Sequence, residues 1–372
     1  MISIDKLHAS AVKITGLDDF GDQSYLEGLN VLVESYAAEA SLTELGEKVQ
    51  RAFLRGALVA RALSEQAWKD NPGFSEVRIE RPIFVLGLPR TGTTALHRLL
   101  TADPAHQGLE LWLTDFPQPR PPRATWEDNP IFAMIQGQYQ QHHLHNPEFM
   151  GLHYMDAAQV EECWQLLRQS VMSVSYECLA HIPSYSQWLR QQDWTPAYAR
   201  HKRNLQLIGM PDAERRWVLK NPSHMFALNA ILAVYPDALI VQTHRDPRTA
   251  IASVCSLNAT ASAGWSTVYE GAAVGRAQLD LWDRGLNQFN ADRALHNPAQ
   301  FVDVQYEDFV RDPLAAVESV YAGLGVPLSP EARSAMEALH TESQTGGRKP
   351  AHKYALSDFG LTEAAVLERF GS

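Results

Sequence analysis

Cysteine is scarce in this chain. Cys163, Cys178 and Cys255 are the three cysteines among 372 residues, and they form no metal or redox spacing. A small, odd count excludes a disulfide scaffold and points to reduced thiols in a cytoplasmic protein. Long apolar runs are missing as well, and none approaches the roughly 20 residues of a membrane-spanning helix. The start, Met1-Ile-Ser-Ile-Asp-Lys6, lacks the basic region and apolar core of a signal peptide. Positive charge is in deficit: 32 basic residues face 43 acidic ones, for a formal net charge of −11. That balance argues against a general binder of nucleic acid or of anionic membranes. An anionic ligand must therefore be held by a local basic site. There is no internal repeat and no low-complexity tail. What remains is an ordinary globular composition, 45% apolar, in a chain long enough for a large α/β core and a smaller appendage.

The most informative stretch is Pro82-Ile-Phe-Val-Leu-Gly-Leu-Pro-Arg-Thr-Gly-Thr-Thr-Ala-Leu-His97. Ile83 to Leu88 is a short apolar run without alternation, as expected of a strand covered on both faces. Gly87 and Pro89 end it, Gly92 lets the backbone turn, and Thr93, Thr94 and Ala95 begin a helix. Such a loop aims backbone N–H groups, the positive end of a helix dipole and the Arg90 guanidinium at one point, which attracts phosphate or sulfate. The plainer reading is a strand–turn–helix with an exposed arginine.

Residues 1 to about 78 read as helical, with Ser41-Leu-Thr-Glu44 as a capping box and Leu42, Leu45, Val49, Phe53, Leu58 and Leu63 at near-helical spacing. This segment is a packing appendage, a cap over a site or an arm for self-association. Residues 79–372 form the α/β part, with an insertion at about 105–212. Residues 105 to 155 read as irregular, because Pro117-Gln-Pro-Arg-Pro-Pro122 suits neither a central strand nor a helix interior. The histidines of Gln141-His-His-Leu-His145, with His153, lack the carboxylate or cysteine that would complete a metal spacing. From Asp156 to about His181 the pattern predicts one long helix, with Val160, Trp164, Leu167, Val171, Val174 and Cys178 on one stripe. Glu161 and Glu162 lie off that stripe. They are either dipole-favoured surface acids or a base facing a cleft. Two short helices follow around Trp194-Thr-Pro196.

Three more strands are expected, at Arg216–Lys220, Ala238–Thr243 and Phe301–Val304, alternating with helices. Asp246-Pro247 and Asp312-Pro313 are N-cap and first-turn pairs. The alternation predicts a P-loop-like parallel sheet with helices on both faces. The stretch His340 to Phe359 reads as a loop able to fold back over the site. In such a sheet, ligands sit beyond the carboxyl ends of the strands. Four polar groups fall there: Arg90-Thr-Gly-Thr-Thr94; Lys220 to His224; Arg245 with Ser253; and Tyr306-Glu-Asp308. Each has a bland alternative, such as a surface ion pair for Arg245, a solvated helix residue for Ser253, a core aromatic for Tyr306 or a locally bonded helix residue for His224.

Pro89-Arg-Thr-Gly-Thr-Thr94 resembles the 5′-phosphosulfate loop of the sulfotransferases that use 3′-phosphoadenosine-5′-phosphosulfate. Arg245-Asp-Pro-Arg-Thr-Ala-Ile-Ala-Ser253 is similar to their 3′-phosphate motif, and Val304-Gln-Tyr-Glu-Asp308 to the element that follows in the same order. The resemblance spans about 82 to 325, and the N-terminal part and the His352-Lys-Tyr354 tail are similar to bacterial members of the group. It implies that Arg90, Thr91, Gly92, Thr93 and Thr94 hold the 5′-phosphosulfate and that Arg245 and Ser253 hold the 3′-phosphate. It further implies that Tyr306 touches the donor, and that Arg348, Lys349 or Lys353 reaches the 3′-phosphate from a C-terminal basic loop. The chain departs from the pattern in two places. Arg90 stands where a lysine is usual, and Lys220 and His224 are four apart rather than two.

The implied reaction is in-line sulfuryl transfer to a hydroxyl or amine of a small-molecule acceptor, without a metal ion. Arg90 and Lys220 would stabilise the developing charge. His224 would take the acceptor proton, its ordinary pKa near 6.5 suiting a base at neutral pH, with Glu161, Glu162 and His153 as substitutes. No nucleic-acid partner and no membrane insertion are expected, and the N-terminal helices are the candidate surface for a homo-oligomer. The rivals are a P-loop nucleotide kinase, which would need a Gly-Lys-Ser/Thr loop end and an acidic strand end for magnesium, and a non-catalytic adenosine-phosphate-binding protein.

Overall fold

The apolar runs become the strands of one parallel sheet. In the computed structural model, which describes residues 2–145, 154–345 and 354–371, these are β1 (Ile83–Gly87), β2 (His106–Gln107), β3 (Arg216–Lys220), β4 (Leu239–His244) and β5 (Phe301–Gln305). Their order is β2-β3-β1-β4-β5, and every neighbouring pair is parallel. β1 is central, with Ile83 in register with Val218 on one side and Leu239 on the other. The chain leaves β1 toward β3 and then returns to β4 on the opposite side. The carboxyl end of β1 is thus the point where the strand order reverses, where such sheets open a crevice.

The lack of alternation in β1 has a direct cause. Ile83 and Val85 point into one apolar cluster with Val218, Leu239 and Val241. Phe84 and Leu86 point into another with Trp217, Leu219 and Ile240. Successive residues of a strand face opposite sides, and here both sides are covered, so no position is left for a polar residue. Each such side chain contributes roughly 1.5–3 kcal/mol by leaving water. The helices Thr93–Thr101 and Pro313–Gly323 supply the smaller cluster. The larger one takes in the N-terminal helices, the insertion, and the helices Pro247–Ala261 and Ala272–Arg293.

The N-terminal segment forms the helices Ile4–Thr15, Tyr25–Ala38 and Glu44–Asp70. The buried Arg61 ties it to the insertion: its guanidinium donates to the carbonyls of Phe20, Asp22 and Gln169. The expected cap at Ser41 is displaced by two residues. Thr43 Oγ1 accepts the Gly46 N–H at 3.1 Å, because Ser41 takes a left-handed turn (φ 42°) and Leu42 bridges to Ser266 instead.

The insertion departs furthest from expectation. The stretch 105–155 is not irregular throughout. It carries β2 and the helices Leu111–Asp115 and Pro130–His145. Phe132 of the second helix sits edge-on to Trp112 of the first, with ring centroids 5.7 Å apart. The long helix expected over 156–181 does not form, and one short helix, Trp164–Arg168, takes its place. The backbone groups that would start it are bonded elsewhere. Leu111 N–H donates to Gln159 O, Glu161 N–H to Leu109 O, and Cys163 N–H to Lys220 O. Val171 is left-handed (φ 53°), a conformation that a helix of β-branched residues does not tolerate. Leu167, Val171 and Val174 are buried nonetheless, so the apolar stripe reports burial without a single helix. At the other end, the helix Pro330–Thr345 occupies the first residues of the stretch expected as loop. No helix among the described residues is long and apolar enough to cross a membrane.

Candidate active site

The loop after β1 is set by two glycines. Gly87 (φ 141°) lies so close to β4 that a Cβ would stand 2.5 Å from the Thr243 carbonyl oxygen. Gly92 (φ 88°) opens the helix Thr93–Thr101, and a Cβ there would press on the Tyr306 ring at 3.2 Å. Arg90, between them, is itself left-handed (φ 69°). A loop curled in this way at a helix N-terminus turns backbone N–H groups inward and favours an anion. Such strain at a non-glycine residue is kept only where surroundings enforce it. Here the Arg90 carbonyl accepts from Arg245 Nη1 at 2.8 Å. The Thr91 hydroxyl donates to Leu88 O and meets Thr243 Oγ1, both at 2.6 Å. That hydroxyl braces the loop against β4. Thr93 is buried under the same loop.

Arg90, Arg245, Ser253 and Tyr306 form one cluster beyond β4 and β5. Arg90 Nε donates to Ser253 Oγ at 3.1 Å. The Arg245 guanidinium stacks 3.9 Å from the Tyr306 ring centroid. Among the described residues no carboxylate forms an ion pair with Arg245, because its neighbour Asp246 is taken by Arg248 at 2.6 Å. Burial pulls the Arg90 guanidinium below its ordinary pKa and Arg245 adds to this, while Tyr354, Glu162 and Tyr306 oppose it. Two arginines held together in this way favour a multiply charged anion between them.

The second cluster lies between β1 and β3. Lys220, fully buried, donates from Nζ to Glu162 Oε1 at 2.6 Å and to Thr94 Oγ1 at 3.2 Å. Glu161 Oε1 stands 3.9 Å from the same ammonium and accepts the Glu162 N–H at 3.0 Å. Glu161 is buried, whereas the Glu162 side chain keeps 16% of its surface open.

His224 lies outside both clusters. Its ring is 0% exposed, Nδ1 meets Tyr198 Oη at 2.6 Å, and Phe84 packs edge-on at 5.1 Å. Burial, with His201 and Lys220 nearby, holds its pKa well below the imidazole range. Arg348, Lys349, Lys353 and His153 lie outside the described residues. His142, His143 and His145 sit in the last turn of their helix, and among the described residues no three His, Cys, Asp or Glu side chains gather as a metal site.

The candidate residues stand at the strand ends where the sequence puts them, but which of them touch is not legible in it. Neither the Arg90–Ser253 bond nor the Lys220–Glu162–Thr94 chain is signalled by spacing. The helix Pro130–His145 did carry a signal: Asn129-Pro130 is a cap pair, and Asn129 Oδ1 accepts from Ile131 N–H at 2.9 Å.

A family model described as the sulfotransferase family matches residues 82–330. The omega-hydroxy-beta-dihydromenaquinone-9 sulfotransferases Stf3 of Mycobacterium bovis and Mycobacterium tuberculosis are each 25% identical over 270 residues, 66% of this chain. The match spans 63% of their own length, less than two thirds. Among solved structures, sulfotransferase STF1 from Mycobacterium tuberculosis H37Rv is 57% identical, with 99% of this chain and 98% of that one covered and a TM-score of 0.93. Sulfotransferase STF9 from Mycobacterium avium is 26% identical, with 100% and 95% covered and a TM-score of 0.89.

Proposed function

This chain belongs to the sulfotransferase family, and on that premise we propose that it moves the sulfuryl group of 3′-phosphoadenosine-5′-phosphosulfate to a hydroxyl (or amine) of a small-molecule acceptor. The observation that carries the reading is Arg245. It is stacked on Tyr306, bonded to the Arg90 carbonyl and free of any carboxylate ion pair among the described residues. A cation so placed beside Ser253 and Arg90 suits the 3′-phosphate that sets this donor apart from ATP. The backbone of Arg90 to Thr94, at the helix N-terminus, suits the 5′-phosphosulfate. The Arg90 side chain, directed at Ser253, joins the two grips.

In the transfer the acceptor oxygen forms a bond to sulfur while the bond between sulfur and the 5′-phosphate oxygen breaks. Glu162 takes the acceptor proton, because its side chain stands beside Lys220 with 16% of its surface open while the His224 ring is sealed in the core. Lys220, held between Glu162 and Thr94, lends positive charge to the transferring group and the leaving phosphate. Positioning and charge suffice for such a step.

The test is calorimetry with adenosine 3′,5′-bisphosphate against ADP, followed by a screen of acceptors with labelled donor. The bisphosphate should bind far more tightly; equal affinities would remove the reading. Glu162→Gln should lose transfer while keeping bisphosphate binding. Unchanged turnover in that variant would return the base to His224, Glu161 or His153.

A further inference from the structure

A second concave, charged place lies apart from the donor crevice. A cavity of about 380 Å³ opens between the turn after the helix Pro183–Leu189, the segment Phe226–Ala230 and the C-terminal half of the helix Ala272–Arg293. Its charged groups lie at two depths, and Asp193, exposed at the rim, accepts the Thr195 N–H through Oδ1. Glu177 and Asp292 are each 6% exposed. Glu177 Oε1 accepts from Arg284 Nη2 at 2.8 Å, while Glu177 Oε2 and Arg284 Nε have no hydrogen-bond partner among the described residues. Asp292 accepts from Asn229 and Gln288 through the same oxygen, Oδ1. Arg190 stands exposed at the rim, in the field of Glu177 and Arg284, and among the described residues its side chain makes no hydrogen bond or ion pair. Trp194 and Phe226 supply the aromatic wall.

Buried charges are costly unless paired, and an unpaired buried polar atom in a folded protein calls for an explanation. A trapped water would answer for Glu177 Oε2 alone. It would not explain an arginine that forms no ion pair among the described residues at the mouth of a cavity with acids in its wall and aromatic rings beside them. The volume falls within the range of small-molecule sites, and a few polar groups on an apolar wall are their usual make-up.

We propose that this cavity binds a small zwitterion, an α-amino acid with a large apolar side chain. Its ammonium faces Glu177 and Asp292, its carboxylate faces Arg190, and its side chain lies on Trp194 and Phe226. None of the lining residues belongs to the donor crevice, so the proposal stands whether or not the sulfuryl-transfer reading does.

The experiment is titration calorimetry and thermal denaturation of the full chain with L-phenylalanine, phenethylamine and 3-phenylpropanoate. L-phenylalanine should raise the melting temperature and bind with Kd below about 1 mM. The analogues, each lacking one charge, should bind at least about tenfold more weakly. Arg190→Ala, an exposed change, should weaken phenylalanine and phenylpropanoate by a similar factor and leave phenethylamine unaffected. Glu177→Gln should do the reverse for the amine; if that variant does not fold, Arg190→Ala decides by itself. Absence of binding by all three compounds overturns the proposal. So does affinity that Arg190→Ala leaves unchanged, or displacement of phenylalanine by adenosine 3′,5′-bisphosphate.

Discussion

Arg90, Gly92 and Arg245 sit within a few residues of the strands that place them, β1 and β4, whereas Glu162 reaches Lys220 from a segment 58 residues earlier in the chain. The first arrangement is built from local devices: a strand end, a glycine turn and a capped helix. The second depends on the insertion folding back so that Cys163 N–H bonds the carbonyl of Lys220 itself. In the proposed reaction, donor binding and proton removal fall to two regions with different structural origins. The two meet at Thr94, whose hydroxyl accepts from Lys220 Nζ at 3.2 Å.

The largest effect should come from the insertion side. Lys220→Ala should lower turnover by about 10²–10³, as loss of a charge-stabilising donor does, with bisphosphate affinity largely retained. A parallel loss of affinity would show that the two regions act as one. Next, Arg245→Ala should weaken adenosine 3′,5′-bisphosphate by about 10–100-fold, the range for losing charge-assisted hydrogen bonds. Calorimetry that finds no change would dissolve the donor half of the comparison.

Third, both regions bury histidine. His97, in the helix after the loop, meets the Val218 carbonyl of β3, and His201 and His224 pack with Phe84 and Tyr198. Burial lowers all three, His97 and His201 to about 3 from 6.5. A lowered imidazole is neutral in the folded chain but charged in the unfolded chain below pH 6.5. The unfolded state therefore binds more protons there, and stability is lost as pH falls from about 6.5 toward 3. Each imidazole should contribute up to about 1.4 kcal/mol per pH unit. Urea midpoints that rise between pH 7 and 5 would contradict this. The smallest effect should be in the caps. Asp246→Ala on the donor side and Asn129→Ala in the insertion should each cost about 1 kcal/mol. If thermal melts show the loss only for Asp246, tertiary packing rather than its cap holds the helix Pro130–His145.

The sheet was legible because its cause is local. Ile83 to Gly87, Trp217 to Leu219 and Leu239 to Val241 are apolar at successive positions, as suits a strand covered on both faces. Asp246-Pro247 and Asp312-Pro313 marked helix starts for an equally local reason, since a side chain caps its own backbone two or three residues on. The glycine-turned loop, and Arg90 and Arg245 just past β1 and β4, followed from the same reading. The insertion was not legible. Its apolar spacing from Val160 to Cys178 is compatible with a helix. Bonds to Leu109, Leu111 and Lys220 nevertheless captured its first turn, and no periodicity records a partner far away in the chain.

His224 makes the same point at a single residue. As a sequence feature it follows Lys220 at a strand end and reads as a base. In the fold its ring turns inward to Tyr198 and Phe84, and Glu162 occupies the place beside the lysine. The amino-acid sequence alone determined four of the five strands, the glycine-turned loop after β1 and the residues offered at the sheet's edge, since those depend on near neighbours; β2, within the stretch read as irregular, was not among them. Only the tertiary structure decided which of the offered groups are buried and which meet, because burial and contact are set by the packing of distant segments.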